Sequence, residues 1–365
     1  VISWNSLISG YVQEEQYNEA LNCFDRMQNE GHVPDMVTFT CILNACGGKG
    51  AFEKGEQIHK EIVNNGLLDK NIVLGTALVD MYAKCGHFVR AHQVLDQLSV
   101  RDVVSWSVLI AGYTLHGQGH DAINSFDSMQ IEGLSPDVVT LISVLKACGS
   151  IGLLDRGKQI HDDIVRRSLL DRHDVLANAV VDMYGKCGAL TKAQQVHDQL
   201  PVKNVSSWNS LISGYAQQNY GSEALTYFAK MQLDGVSPNA ITFISSLKAC
   251  GSIRFIDMGQ KIHAEINRQG LLHDSCIGNA LIDMHSKCGS LMKAQEVFDK
   301  LLVRDVVSWN SLIGGYVNSE QGKAALDCLE KMEVEGVMPD AITFFSILKA
   351  CGKMGNLDKG KEIHE

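Results

Sequence analysis

The stretch Val1–Tyr11, VISWNSLISGY, returns as VVSWSVLIAGY from Val103, VSSWNSLISGY from Val205 and VVSWNSLIGGY from Val306. Those starts are 102, 102 and 101 residues apart, so the chain is an array. All four tryptophans (Trp4, Trp106, Trp208, Trp309) fill one slot of the stretch. Four of the five prolines (Pro34, Pro136, Pro238, Pro339) lie thirty residues after them. A fixed period of this kind rules out a division into two or three unrelated globular domains and points to a solenoid stacked from small units.

Within the first unit Trp4, Leu7, Ile8 and Tyr11 recur at i, i+3, i+4 and i+7, one face of a helix. A second helix follows with Ala20, Phe24 and Met27 on its face. Gly31 can take the positive φ that ends it, and Pro34 prevents it from resuming. The result is a helical hairpin of 35 residues ending at Asp35. The unit 36–71 carries TFTCILNACG and EKGEQIHKEIV, and a shorter unit, 72–102, carries IVLGTALVDMYAKCG and FVRAHQVLDQL. The pattern repeats over 103–137, 138–173 and 174–204, then 205–239, 240–274 and 275–305, then 306–340 and a partial unit, 341–365. Every residue is placed without a linker, and the expected architecture is all-α, eleven hairpins in one continuous array.

At 365 residues and 45% hydrophobic content the chain can bury a large core, which argues against disorder. A formal charge of −10 argues against a broad basic coat, so any nucleic-acid binding has to come from a local stripe. Four of the eleven cysteines repeat in ACG (Cys46, Cys148, Cys250, Cys351) and three in KCG (Cys85, Cys187, Cys288). Register positions of this sort read as small buried hydrophobes in a reducing compartment, not as a disulfide framework. No run approaches the roughly 18 apolar residues of a membrane span. The chain does not open on methionine or on a targeting segment, and it stops at Glu365 in mid-pattern, so both ends read as cut.

The alternation of long, longer and short units resembles the plant PLS-class pentatricopeptide repeat proteins. The residues that carry the resemblance are SWNSLI at Ser207–Ile212 for the P-type units, LKACG at Leu145–Gly149 for the L-type and NAVVDMYGKCG at Asn178–Gly188 for the S-type, and it covers the whole chain. It implies an α-solenoid, a right-handed superhelix of stacked helix-turn-helix hairpins. It further implies sequence-specific binding of single-stranded RNA in a mitochondrion or chloroplast, most often to aim cytidine-to-uridine editing, with proteins of an editing complex as further partners.

The fifth residue of a unit lies one turn into its first helix, and the unit's last residue precedes the next first helix, so stacking brings two polar side chains together for each base. The pairs are Asn5/Asp35, Thr76/Asp102, Ser107/Asp137, Asn178/Asn204, Asn209/Asn239, Asn279/Asp305 and Asn310/Asp340. By family analogy Asn with Asp favours U, Asn with Asn favours C, and Thr or Ser with Asp favours G. The L-type units carry Thr40, Ile142, Ile244 and Phe345 at the fifth position, and three of these four have no group to hydrogen-bond a base edge. Read from the N-terminus, the target is 5′-U n G G n C C n U U-3′. For any one pair, helix capping and turn chemistry are the competing explanation. Second-position residues Ile2, Val73, Val104, Val175 and Val307 are candidates to sandwich the bases, with ordinary core packing as the alternative. Lys84, Lys186 and Lys287 recur in the S-type units and are candidates for phosphate contact, with a solvated helix end as the alternative.

Two stretches look like chemistry. GLLDRGK at 152–158 and GNLDKGK at 355–361 match a phosphate-binding loop until the eighth position, where Gln159 and Glu362 replace the magnesium-holding Ser or Thr. His59-x-Glu61 and His263-x-Glu265 are similar to the H-x-E of zinc deaminases, but no C-x-x-C accompanies them, and His59, His161, His263 and His364 share one L-type register position, which favours a structural or interface role. The reading is therefore of no catalytic centre, metal, cofactor, small-molecule substrate or membrane association. In editing factors of the resembled class the deaminase belongs to a C-terminal extension. The rival from another class is a protein-binding scaffold of the tetratricopeptide kind, whose groove would lack paired polar residues at unit boundaries.

Overall fold

The computed structural model describes residues 1–68 and 71–364, among which run twenty-two α-helices. In order they are α1 (Ile2–Gln13), α2 (Tyr17–Asn29), α3 (Met36–Lys49), α4 (Phe52–Asn64), α5 (Ile72–Lys84), α6 (Phe88–Gln97), α7 (Val103–Leu115) and α8 (Gly119–Ile131). Then follow α9 (Val138–Ile151), α10 (Leu154–Arg166), α11 (Asp174–Lys186), α12 (Leu190–Gln199), α13 (Val205–Gln217), α14 (Gly221–Leu233) and α15 (Ala240–Ile253). The last are α16 (Ile256–Arg268), α17 (Ser275–Lys287), α18 (Leu291–Lys300), α19 (Val306–Asn318), α20 (Gly322–Val334), α21 (Ala341–Met354) and α22 (Leu357–His364). Odd-numbered helices open the repeats and even-numbered helices close them. The chain forms two compact halves, Val1–Met183 and Tyr184–Glu365.

In the N-terminal half each first helix packs on the next (α1 on α3, α3 on α5, α5 on α7, α7 on α9), and α2, α4, α6 and α8 each pack on their own first helix and on the one that follows. The C-terminal half builds the same layer from α13, α15, α17, α19 and α21, with the second helices packed between them. The sequence period dictates this. Trp106, Leu109, Ile110 and Tyr113 are all buried, as are Ala20, Phe24 and Met27 on a second helix. Leu7, the counterpart of Leu109, is 44% exposed because no first helix packs before α1.

Gly31 takes φ +79°, as the end of α2 requires. Gly214 has a different purpose: a Cβ there would lie 2.8 Å from the Cα of Gly185, so these first helices cross at backbone contact. The short repeats have second helices of 10 residues where the others have 13. Their terminal leucines therefore fold inward: Leu98 and Leu301 fill the space where a Cβ on Gly75 or Gly278 would sit, a slot held by Trp106 or Phe39 in longer repeats.

All eleven cysteines are free. Cys46 and Cys250 are fully enclosed, and burial pushes their thiols up to about 12, so they pack as inert hydrophobes. No described helix is long and apolar enough to cross a membrane.

Candidate nucleic-acid interface

At the end of the first repeat Asp35 has an extended backbone and caps α3. The backbone N–H of Thr38 donates to its Oδ1 (2.9 Å), and the Asp35 N–H donates back to the Thr38 hydroxyl (3.2 Å). This satisfies two of the donors that every helix N-terminus leaves open. The same capping bond forms at Asp102, Asp137, Asn204, Asn239, Asp305 and Asp340, each accepting from the backbone N–H three residues on. Capping consumes one oxygen and one face of the side chain. For an aspartate the other oxygen remains, an acceptor; for Asn239, whose Oδ1 is claimed by the N–H of Thr242 (3.2 Å), the Nδ2 donor remains. One side chain thus caps inward and offers outward a group whose polarity depends on whether it is Asp or Asn.

The fifth residue stands beside it. Asn5 Nδ2 donates to Asp35 Oδ1 (2.9 Å) and Oδ2 (3.1 Å), and Asn209 Nδ2 donates to Asn239 Oδ1 (3.0 Å). Asn310 Nδ2 donates to Asp340 Oδ1 (3.0 Å), Asn279 Nδ2 lies 3.2 Å from both oxygens of Asp305, and the Ser107 hydroxyl is 3.4 Å from Asp137 Oδ1. Thr76 and Asp102 are the exception within one half, with no hydrogen bond between them. Asn178 belongs to the N-terminal half and Asn204 to the C-terminal half. Asn5, Ser107 and Asn209 are buried, whereas Asp35, Asp137 and Asn239 are exposed, so these three pairs have an inner and an outer member; both members of Asn279/Asp305 and Asn310/Asp340 are half-buried.

Two of the carboxylates, Asp35 and Asp340, are held ionised. Burial would raise Asp35, but the hydrogen bonds from the Thr38 and Val37 N–H groups, Asn5 and the Thr38 hydroxyl outweigh it and keep the carboxyl below its ordinary value. Asp340 is lowered foremost by the Thr343 backbone N–H, with Asn310 adding to it.

Sequence reasoning passed over the threonines that stand three residues after four of the boundary caps. Thr38, Thr140, Thr242 and Thr343 are fully buried, and their hydroxyls reach Asn5 Oδ1 (2.5 Å), Ser107 Oγ (2.5 Å), Asn209 Oδ1 (2.5 Å) and Asn310 Oδ1 (2.6 Å). The signal was legible as a capping box, [DN]-x-x-[ST] across each boundary. Near the starts of α3 and α21, the Thr40 hydroxyl turns back to the Met36 carbonyl (2.8 Å), and Phe345 stands exposed.

The second-position residues Ile2, Val73, Val104, Val175 and Val307 are all more than half exposed, which removes core packing as their explanation. Val37, Val139, Ile241 and Ile342 share the register and the exposure. A groove of about 660 Å³ in the N-terminal half gathers these positions: Val73 and Val104 line it together with Thr40, Thr76, Asp102, Asp80 and Lys84. Two valines from consecutive repeats and the fifth and last residues of one repeat share a single slot.

Residues 1–67, 101–150, 203–252 and 304–353 match the model of the PPR repeat family, and residues 279–306 match that of the PPR repeat. The chain belongs to the PPR repeat family. A mitochondrial pentatricopeptide repeat-containing protein of Arabidopsis thaliana is 34% identical over 360 residues, covering 98% of this chain and 64% of its own length. A chloroplastic one is 35% identical over 362 residues, covering 99% and 58%. The chain spans between about half and two thirds of those relatives. In fold it is similar to the pentatricopeptide repeat protein PPR10 in a crystal structure with an 18-nt psaJ RNA element, with a TM-score of 0.67 and 19% identity over 99% of this chain and 59% of that one.

In this PPR array the lysines are engaged. Lys84 Nζ is 2.6 Å from Asp80 and Lys287 Nζ is 2.7 Å from Asp283, each one helical turn back, and Lys186 holds the same register at the end of α11. A phosphate at Lys84 or Lys287 therefore has to compete with a carboxylate. The loop-like stretches at 152–158 and 355–361 each hold a two-residue turn and then the first residues of α10 or α22, with Gly152 and Gly355 as left-handed caps of α9 and α21. His59 Nδ1 is 2.8 Å from the Tyr82 hydroxyl and His263 Nδ1 is 3.0 Å from His285 Nε2, so this register joins a second helix to the next first helix. The side chain of His364 lies outside the described residues, as does Glu365. Among the described residues no group of three or more His, Cys, Asp or Glu side chains could hold a metal ion.

Proposed function

We propose that this PPR chain binds single-stranded RNA in a sequence-specific way, with one nucleotide per repeat, about ten in all, running 5′ to 3′ from the N- to the C-terminus. The observation that carries this reading is the two-faced cap: the boundary residue spends one face on the helix and leaves the other, acceptor in Asp and donor in Asn, beside the second amide N–H of the fifth residue. Uracil presents an N3–H donor on its Watson–Crick edge and cytosine an N3 acceptor. Asn5/Asp35, Asn279/Asp305 and Asn310/Asp340 therefore suit U, and Asn178/Asn204 and Asn209/Asn239 suit C. Ser107/Asp137 and Thr76/Asp102, with shorter fifth side chains, leave room for a purine and are assigned to G. Ile2, Val73, Val104, Val175 and Val307 are assigned to the faces of the bases, and Lys84, Lys186 and Lys287 to phosphates.

We further infer a P-L-S succession of repeats over the boundaries 1–35, 36–71, 72–102 and their successors, and a role as the targeting module of an organellar C-to-U editing factor. The unequal helix lengths and the mitochondrial and chloroplastic relatives support this. A gel shift tests the binding: RNA of sequence U n G G n C C n U U should be retained as a single strand, and double-stranded DNA of the same sequence should not. Equal retention of both, or of neither, would favour a protein-binding scaffold.

A further inference from the structure

We propose that the buried third-position threonines, Thr38, Thr140, Thr242 and Thr343, are specificity-determining residues that act by fixing the reading side chain of the preceding repeat. The proposal rests on the RNA-reading function above.

The array contains its own comparison. The repeats 275–305 and 306–340 carry the same pair, Asn279/Asp305 and Asn310/Asp340, yet the two asparagines are held differently. At 306–340 the Thr343 hydroxyl donates to Asn310 Oδ1 (2.6 Å) while Asn310 Nδ2 donates to Asp340 (3.0 Å), so both ends of the amide are tied. At 275–305 the third position that follows is Ser308, equally buried, and its hydroxyl donates to the Asp305 backbone carbonyl instead (2.7 Å). Asn279 Oδ1 is then left buried without a hydrogen-bond partner. Ser105 and Ser207 behave as Ser308 does, donating to the carbonyls of Asp102 and Asn204 (2.9 Å each). The difference follows junction type: threonine enters the L-type repeats and serine the P-type.

An amide tied at its oxygen can present only N–H to a base. One whose oxygen lacks a partner gains a hydrogen bond by turning that oxygen toward a base donor, because an unpaired buried acceptor is costly. Asn310 therefore has one presentation and Asn279 has two. The consequence is unequal stringency from identical pairs, with U favoured over C more strongly at 306–340 than at 275–305.

Relative affinities for RNAs differing in one base, opposite 306–340 or opposite 275–305, test this in the whole chain. In the wild type, U over C should reach about tenfold or more opposite 306–340 and fall clearly short of that opposite 275–305. Thr343→Val should bring the first ratio down to the second, and Thr242→Val should likewise relax C over U opposite 205–239. Ser308→Ala, which removes a third-position hydroxyl bonded only to the backbone carbonyl of Asp305 and to no reading side chain, should leave its ratio unchanged. Because Thr343→Val also loses the bond from the Asp340 N–H (3.1 Å), a general loss of affinity is expected from weaker capping, and the base ratio is the deciding measurement. Overall weakening with an unchanged ratio would overturn the proposal. A wild type indifferent to base opposite both repeats would overturn the RNA-reading function itself, a distinguishable outcome.

Discussion

Changing Asn239 to Asp should convert the repeat 205–239 from C-preferring to U-preferring. The substitution is nearly isosteric, and the structure indicates what it leaves alone. The carboxylate retains an oxygen for the Thr242 backbone N–H, now 3.2 Å from Oδ1, and for Asn209 Nδ2, now at 3.0 Å. Asp and Asn are equivalent caps, and a charge at the start of α15 gains about 0.3–1 kcal/mol from the helix dipole, so folding should be unharmed. Only the outward group changes, from an N–H donor to an oxygen acceptor. That removes a bond to N3 of cytosine and creates one to the N3–H of uracil. A good base-edge pairing discriminates by about 1–3 kcal/mol, so the C-to-U ratio at that position should swing by roughly tenfold at the least. RNAs selected from a random pool by wild type and by Asn239→Asp should differ at one position, the seventh of the target. Identical enriched motifs, or a motif that runs in the reverse direction along the chain, would refute the reasoning.

The lysines lead to a salt prediction: three phosphate contacts correspond to a slope of about −2 in log affinity against log salt on a single strand, and a slope demanding eight or more would remove the stripe. Changing Lys84, Lys186 and Lys287 together to Gln should weaken all RNAs alike without altering their ranking, whereas Asp80→Asn with Asp283→Asn, by releasing Lys84 and Lys287, should tighten them. Burial foremost, helped by His263 and Lys293, pushes His285 down from 6.5 to about 4. The unfolded chain takes up a proton below pH 6.5 that the folded chain refuses until about 4, so stability falls as pH drops through that window, by about 1–3 kcal/mol after allowance for water access. His285→Tyr, which restores the residue found at Tyr82, should flatten that part of the melting curve between pH 7 and 4.5; a parallel shift at all pH values would show the histidine to be irrelevant to acid lability. Gly214→Val should melt earlier by several degrees, because its Cβ would fall 2.8 Å from the Gly185 Cα.

The architecture was legible because burial follows the period: the slot of Trp106, Leu109, Ile110 and Tyr113 is apolar in nearly every first helix, with Ser246 and His285 as buried polar exceptions. The shorter repeat was visible as a length, but its packing was not. That Leu98 occupies the space above Gly75 emerges only once the second helix ends a turn early. The second-position valines could not be assigned to core or surface from pattern alone, since an apolar residue in the first turn of a helix fits both. The lysine pairs are a different case. Asp80 and Asp283 stand four residues before Lys84 and Lys287, a spacing that favours an ion pair on any helix, and they should temper every electrostatic reading of this acidic chain.

The pairs proposed to read bases show most clearly where sequence reasoning stops. From sequence, capping and recognition compete as explanations for an Asp or Asn at each repeat boundary, because either accounts for the residue. In three dimensions they do not compete. The backbone N–H of Thr38 or Thr242 can only donate, so it fixes which oxygen of Asp35 or Asn239 faces inward and thereby which group faces out. An Asn free to rotate would offer cytosine and uracil the same choice of donor or acceptor, whereas one tied to a helix N-terminus offers a single group; an ionised Asp offers an acceptor in either orientation, and its cap fixes where that acceptor stands. Capping is therefore the condition for discrimination where the boundary residue is Asn. A residue that read a base without capping would be a poorer reader, and the buried threonines extend the same constraint to the fifth-position asparagines that face them.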